Sequence, residues 1–215
     1  METNDADALI VGCGLMPARD IVERLVQEAP LVVCLDGAAN CFAEKFQREP
    51  DIIVGDGDSL DTETRLRYSD RLYLEPEDQE YNDLTKAVRL LSGRGLHNLK
   101  AIGLTGGREE HTLGNVSLLG WHMERGNRIV ALTPYGVFLP CCNRVELSVK
   151  VGQQISVFRF SARRLRAEGL LFPLYDFDYA WQGTVNEATA PNVTIEGEGV
   201  FLVYVSDVVK SGARD

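Results

Sequence analysis

The sequence is poor in the residues from which compact metal centres and nucleic-acid surfaces are usually built. Its three histidines, His97, His111 and His122, have no thiol or carboxylate at zinc-finger spacing, which argues against a structural zinc site. The five cysteines, Cys13, Cys34, Cys41, Cys141 and Cys142, are odd in number and form no C-x-x-C pair, so reduced thiols are expected. Cys13 and Cys34 read as small hydrophobes inside apolar strands. Basic residues are scarce: 22 Lys and Arg against 32 Asp and Glu give a net charge of -10, with no footprint for nucleic acid or an anionic membrane. No apolar run approaches the length of a membrane span, and Met1–Asp7 lacks the basic-then-apolar pattern of a signal peptide, so a cytoplasmic protein is expected. There is no Walker A motif, and Gly12 and Gly14 lack the third glycine of a dinucleotide fingerprint.

What is present, over 215 residues, is an alternation of short apolar runs with helical patterns. Ala8–Val11, Leu31–Leu35, Ile52–Val54, Arg71–Leu74, Leu99–Leu104 and Arg128–Leu132 read as strands. Between them, helices are expected over Ala18–Gln27, up to Phe46, over Asp61–Tyr68, after an N-cap at Asn82, and over Glu110–Glu124. Continuous apolar strands alternating with helices indicate an α/β, Rossmann-like, mostly parallel sheet with helices on both faces. Past Gly136 the period changes. Val145, Leu147, Val149 and Val151 alternate with polar residues, and Ile155–Phe160, Leu170–Leu174 and Phe201–Val205 add further β-rich runs. The expectation is an α/β domain over 1–136 and an antiparallel β-sandwich domain over 137–215, with Lys210–Asp215 frayed.

Parallel sheets bind ligands beyond the carboxyl ends of their strands, and here those ends carry Asp36, Asp56, Asp58, Asp78 and Gly106–Arg108. Asp56 and Asp58, at i and i+2, point the same way, and Gly57 between them would let a ligand approach the backbone. Taken alone, the stretch fits a solvated turn as well as a metal site. If Asp36, Asp56, Asp58 and Asp83 converge, their repulsion of roughly 4 kcal/mol per close pair calls for a hard cation, and all-oxygen ligation suits Mg²⁺. Lys86 and Arg108 could then take phosphate charge, with the free N–H groups of Gly106 and Gly107 ahead of a helix. The composite points to phosphoryl-type transfer from a nucleotide. Each part also has a plainer reading: Asp83 and Lys86 as a surface i, i+3 pair, His111 and Asn115 as structural residues of one helix face, Trp181 as packing.

Four motifs in order resemble the thiamine pyrophosphokinase family: Asp36-Gly37-Ala38-Ala39-Asn40; Gly55-Asp56-Gly57-Asp58-Ser59; Asp78-Gln79-Glu80-Tyr81-Asn82-Asp83-Leu84-Thr85-Lys86-Ala87; and Thr105-Gly106-Gly107-Arg108-Glu109-Glu110-His111-Thr112-Leu113-Gly114-Asn115. A fainter echo runs through Gly169–Leu174 and Thr184–Glu187. The resemblance implies Mg²⁺-dependent transfer of pyrophosphate from ATP to thiamine by a homodimer whose active site lies at the subunit interface. It implies Asp36, Asp56, Asp58 and Asp83 as metal ligands, with Asp56, Asp58, Asp83, Lys86 and Arg108 catalytic. Nucleotide contacts fall to Asp36, Gly37, Asn40, Ser59, Gly106, Gly107, Arg108, His111 and Asn115, and thiamine contacts to Gln79, Asp83, Trp181, Val185 and Asn186. Glu110 and Val185 depart from the family's usual Asp and Ser. A related pyrophosphokinase acting on a pterin alcohol, or a non-catalytic nucleotide or thiamine diphosphate sensor, are the competing readings.

Overall fold

A computed structural model describes residues 6–78 and 80–210, arranged as two compact units. One unit holds the chain up to Leu118 together with Ala131–Pro134, and the other holds Leu119–Val130 and the chain from Tyr135 onward.

In the first unit β1 (Ala8–Val11), β2 (Val32–Leu35), β3 (Ile52–Gly55), β4 (Leu72–Leu74) and β5 (Asn98–Ile102) form a parallel sheet in the order β4-β3-β2-β1-β5. Every residue of β1, β2 and β3 is buried, which is why these strands are continuously apolar rather than alternating. Alternation along the strands gathers Leu9, Val11, Val32, Cys34, Ile53 and Ile102 in one cluster, against Val22, Leu25 and Val26 of α1 (Arg19–Glu28) and Phe42 of α2 (Phe42–Phe46). The intervening residues face the other way. α4 (Asp83–Ser92) packs on β2 and β3 with Leu84, Ala87, Val88 and Leu91 buried. Arg48 secures the end of α1, its guanidinium donating to the carbonyls of Val26 and Ala29 that the helix leaves unpaired. Asp61 caps α3 (Thr62–Arg67), accepting from the Thr64 N–H at 2.7 Å. α5 (Glu109–Met123) and β6 (Arg128–Thr133) complete the helix–strand alternation.

The second unit is antiparallel. β7 (Gly136–Ser148), β8 (Gln153–Arg159), β9 (Arg163–Glu168), β10 (Asn186–Glu187) and β11 (Asn192–Val209) run in the order β10-β8-β11-β7, with β9 also beside β11. A register shift between Glu196 and Val200 divides β11. Its first part pairs with β9 and its second with β8, while β7 follows both.

Several sequence expectations need correction. β1 stops at Val11, and Cys13 is exposed beyond it rather than buried in a strand. The chain turns there because the Gly12 and Gly14 N–H groups donate to Ile102 and Gly103 at 2.9 and 2.7 Å. A Cβ on Gly14 would stand 2.3 Å from the Thr105 carbonyl, so this glycine serves close backbone packing. Leu170–Leu174 is no strand: only Leu170 bridges to Ala188, and the Asn186 side chain takes up both main-chain groups of Phe172. Val151 lies in a turn, exposed. Residues 211–215 of the expected frayed end lie outside the described residues, as does Gln79.

Candidate active site

The acidic site assembles from two consecutive strand ends and one helix start. Asp36 follows β2, opening a 3-10 turn over Asp36–Cys41; Asp56 and Asp58 follow β3; Asp83 is the first residue of α4. Carboxylate oxygens of Asp36, Asp56 and Asp58 lie within 4.8 Å of one another. Gly55 brings Asp83 up to them. A Cβ there would stand 2.8 Å from the Asp36 Cβ and 3.3 Å from the Asp83 Oδ1. No role was assigned to Gly55 from the sequence. A buried glycine at the last position of a strand, just before two carboxylates, is the signal that marks it.

The electrostatics match this crowding. Burial, then the Asp36 and Asp56 charges, pushes the Asp83 carboxyl up to about 6, against the easing effect of Lys86. Burial also raises Asp36, although the Ser59 N–H, donating to its Oδ2 at 3.0 Å, favours the charged form. Asp58, exposed and accepting from the Ser59 hydroxyl at 2.8 Å, is held below the usual carboxylate range by that bond and by Asp36. Asp36 is 4% exposed, yet its Oδ1 has no hydrogen-bond partner among the described residues. It also holds a φ of 39°, a region that non-glycine residues rarely occupy. A buried carboxylate oxygen left bare, beside two further carboxylates, is a donor set suited to a hard divalent cation such as Mg²⁺.

The surrounding loop is tightly braced. Asn40 donates to the Ser59 carbonyl at 2.9 Å and accepts from the Asp61 N–H at 3.2 Å. Gly37 packs against Ser59, where a Cβ would come within 3.0 Å. Gly57 differs from expectation. Its φ of 84° is what requires glycine, and the space a side chain would fill is closed by Arg65, which donates to the Gly57 carbonyl at 2.5 Å. Asp78, accepting from the Glu80 and Tyr81 N–H groups and paired with Arg89 at 2.9 Å, shapes its own turn.

One turn beyond Asp83, Lys86 is only 3% exposed and donates to the Glu75 carbonyl at 3.2 Å. Asn82 caps α4, accepting from the Thr85 N–H at 3.0 Å. Asn115 holds both the Asn82 amide, at 3.0 Å, and the Leu104 carbonyl, at 2.9 Å. Gly106 has a φ of 77° and donates to the Thr112 hydroxyl at 3.3 Å, while Gly107 has open space around it. Arg108 and His111 are exposed, and Arg108 is paired with Glu110. Glu110's own backbone N–H, and then that pairing, lower the Glu110 carboxyl.

This arrangement coincides with a family pattern. A model described as the thiamin pyrophosphokinase catalytic domain matches residues 22–131, just over half of the chain, and one described as the thiamin pyrophosphokinase substrate-binding domain matches 136–204. The chain belongs to the thiamin pyrophosphokinase family. It is accordingly an enzyme of the thiamine diphosphokinase type. Solved thiamin pyrophosphokinases share the fold at low identity. That of Bacillus subtilis is 19% identical with a TM-score of 0.73, covering 94% of this chain and 100% of its own. That of Candida albicans is 15% identical with a TM-score of 0.74, covering 97% and 90%, and the yeast enzyme is 16% identical with a TM-score of 0.73, covering 94% and 86%. No curated protein matches the sequence.

The second unit of this thiamin pyrophosphokinase family member places Trp181, Val185 and Asn186 differently from one another. Trp181 sits in a 3-10 turn over Ala180–Gly183 and is 71% exposed. The turn is fixed at Gly183, where a Cβ would meet the Val157 carbonyl at 1.9 Å. Val185 is exposed at a φ of 59°, strained for a β-branched residue, with its N–H donating to the Ser156 hydroxyl at 3.0 Å. Asn186 is buried and committed to the main chain, accepting from Phe172 and Glu187 N–H groups and donating to the Phe172 carbonyl.

Proposed function

We propose that the chain transfers the pyrophosphoryl group of ATP to the hydroxyl of thiamine, giving thiamine diphosphate and AMP, in a Mg²⁺-dependent reaction. The observation that carries the reading is the bare, buried Oδ1 of Asp36 inside a carboxylate cluster, in a chain of this family. Asp36, Asp56, Asp58 and Asp83 would hold Mg²⁺, which supplies charge neutralisation for the phosphates of the nucleotide. Lys86 adds a positive charge that is already desolvated and anchored on Glu75, so little reorganisation is required of it. Gly107 offers a main-chain N–H ahead of α5, with Arg108 and His111 exposed beside it for anionic oxygens, while the Gly106 N–H is taken up by the Thr112 hydroxyl.

Thiamine carries a positive charge, and an exposed indole such as that of Trp181 is a suitable face for it. Val185 and Asn186 would complete that pocket, Asn186 by holding the Phe172 segment in place. On this reading the protein is a cytoplasmic homodimer, with Trp181 and its neighbours serving a site shared between subunits. No helix among the described residues is long and apolar enough to cross a membrane.

The test is incubation of the purified chain with ATP, Mg²⁺ and thiamine, following AMP. Thiamine-dependent AMP formation is the expected result. Nucleotide binding without turnover would support a sensor instead, and AMP formation only with a pterin alcohol would assign the other substrate class. Sedimentation analysis should show a dimer; a fully active monomer would overturn the shared site.

A further inference from the structure

We infer that Asn82 is a positioning residue whose side chain couples the carboxylate-bearing start of α4 to the glycine turn after β5, through Asn115. The geometry is a relay with fixed polarity. At one end the Thr85 N–H can only donate, so Asn82 must present Oδ1 to it, at 3.0 Å, and turn Nδ2 outward. At the other end the Leu104 carbonyl can only accept, so Asn115 must present Nδ2 to it, at 2.9 Å, and turn Oδ1 outward. The two outward groups meet at 3.0 Å with donor facing acceptor. Flipping either amide would break its main-chain bond and set like groups against each other. The relay therefore has a single arrangement, and both its ends are main-chain atoms.

The two ends are parts of the proposed reaction centre. Asp83 follows Asn82 directly, and Leu104 leads into Thr105-Gly106-Gly107. Around Leu104 the turn is held by the Leu15 N–H on the Thr105 carbonyl, at 2.8 Å, and by the Gly14 N–H on the Gly103 carbonyl. These bonds tie the turn to the segment after β1 and leave its distance from α4 open. The Asn82–Asn115 contact is a side-chain bond that spans that distance. Asp83 is pressed towards Asp36 through the gap at Gly55, where mutual repulsion would drive the start of α4 outward. The relay opposes that movement.

This inference rests on the metal-binding reading above, and its test separates the two. Asn82→Ser keeps a capping oxygen for Thr85 but has no second group to reach Asn115, so the cap and the relay are distinguished. Mn²⁺, as a probe for the divalent cation, is titrated in the presence of a non-hydrolysable ATP analogue against wild type, Asn82→Ser, Asn115→Ala and the double variant. Hydrogen exchange is followed in the same four proteins without metal. The expected result is about three- to tenfold weaker Mn²⁺ binding in each single variant, with the double variant no weaker than the worse single. Exchange at 105–107 should rise in Asn82→Ser, with the interior of α4 unchanged. Unaltered exchange at 105–107, or strictly additive losses of Mn²⁺ affinity, would overturn the coupling. A wild-type protein that binds no Mn²⁺ while exchange at 105–107 responds to Asn82→Ser would sink the metal reading and leave the relay standing as a structural tie only, overturning its positioning role.

Discussion

His122 is the clearest point at which the second unit should respond to acid. It is 2% exposed in α5, its Nε2 has no hydrogen-bond partner among the described residues, and burial together with Arg125 lowers its pKa from 6.5 to about 4. The folded state therefore favours the neutral ring, and the unfolded chain takes up the proton first as pH falls. His122 costs nothing well above its unfolded value of 6.5; the loss grows below that and levels off only once the pH passes its folded value of about 4. Between about pH 7.5 and about pH 4.5 these values correspond to roughly 2.5 kcal/mol of lost stability. His122→Leu removes the titrating group and fills the site with an apolar side chain suited to a helix. Urea unfolding at the two pH values, followed by fluorescence of Trp121, whose ring meets His122 edge-on at 4.9 Å, should show wild type losing about 2.5 kcal/mol more than the variant. Equal losses in the two proteins would show that His122 is not held neutral, and the argument from its burial would fail.

Other substitutions probe the first unit and the proposed chemistry. Asp83→Asn should cut thiamine-dependent AMP formation by about a hundredfold or more. In the absence of divalent cation the same variant should melt at a higher temperature than wild type, because it relieves the crowding with Asp36 and Asp56. Asp61→Ala, losing the cap on Thr64, should cost about 1 kcal/mol in chemical denaturation with activity affected mainly through the Ser59 loop. Gly183→Ala forces a Cβ onto the Val157 carbonyl and should lower stability by about 2–4 kcal/mol, read by calorimetry. Trp181→Ala should raise the KM for thiamine about tenfold with a smaller effect on kcat, and an unchanged KM would remove Trp181 from the thiamine site.

How much of this was legible in the sequence follows from where each interaction partner lies. The parallel strands were readable because burial on both faces writes itself as a continuous apolar run, and the carboxylates of Asp36, Asp56 and Asp58 were readable because such sheets collect ligands at strand ends. Asn82 was readable as a cap from its place before an apolar period. β9 was not, since Arg163–Glu168 shows almost no apolar pattern. It is a strand through its antiparallel pairing with β11 around the buried Leu165, and Arg166 and Arg164 meet Glu196 and Glu198 of β11, charges that only the fold brings together. Leu170–Leu174 misled in the other direction: an apolar run whose main chain is satisfied by a side chain from residue 186. Gly12 and Gly14 were rightly set aside as a fingerprint for want of a third glycine, but what they do instead was not legible: their partners Gly103 and Thr105 lie far along the chain, invisible to local pattern.

The placing of β11 has a consequence for how the molecule is made. The parallel ladder of β1 to β5 is complete in sequence by Ile102. β7, β8 and β9, by contrast, all pair with β11, whose residues are the last of these to be synthesised. Until 192–209 has left the ribosome, those three strands have unsatisfied edges and no common partner. The first unit thus has the chance to fold during translation, while the second must wait for the long strand that β7, β8 and β9 share. Slowed synthesis before Asn192 should lengthen the time for which Val157, Leu147 and the other core residues of β7 and β8 stand open to chaperones or to aggregation.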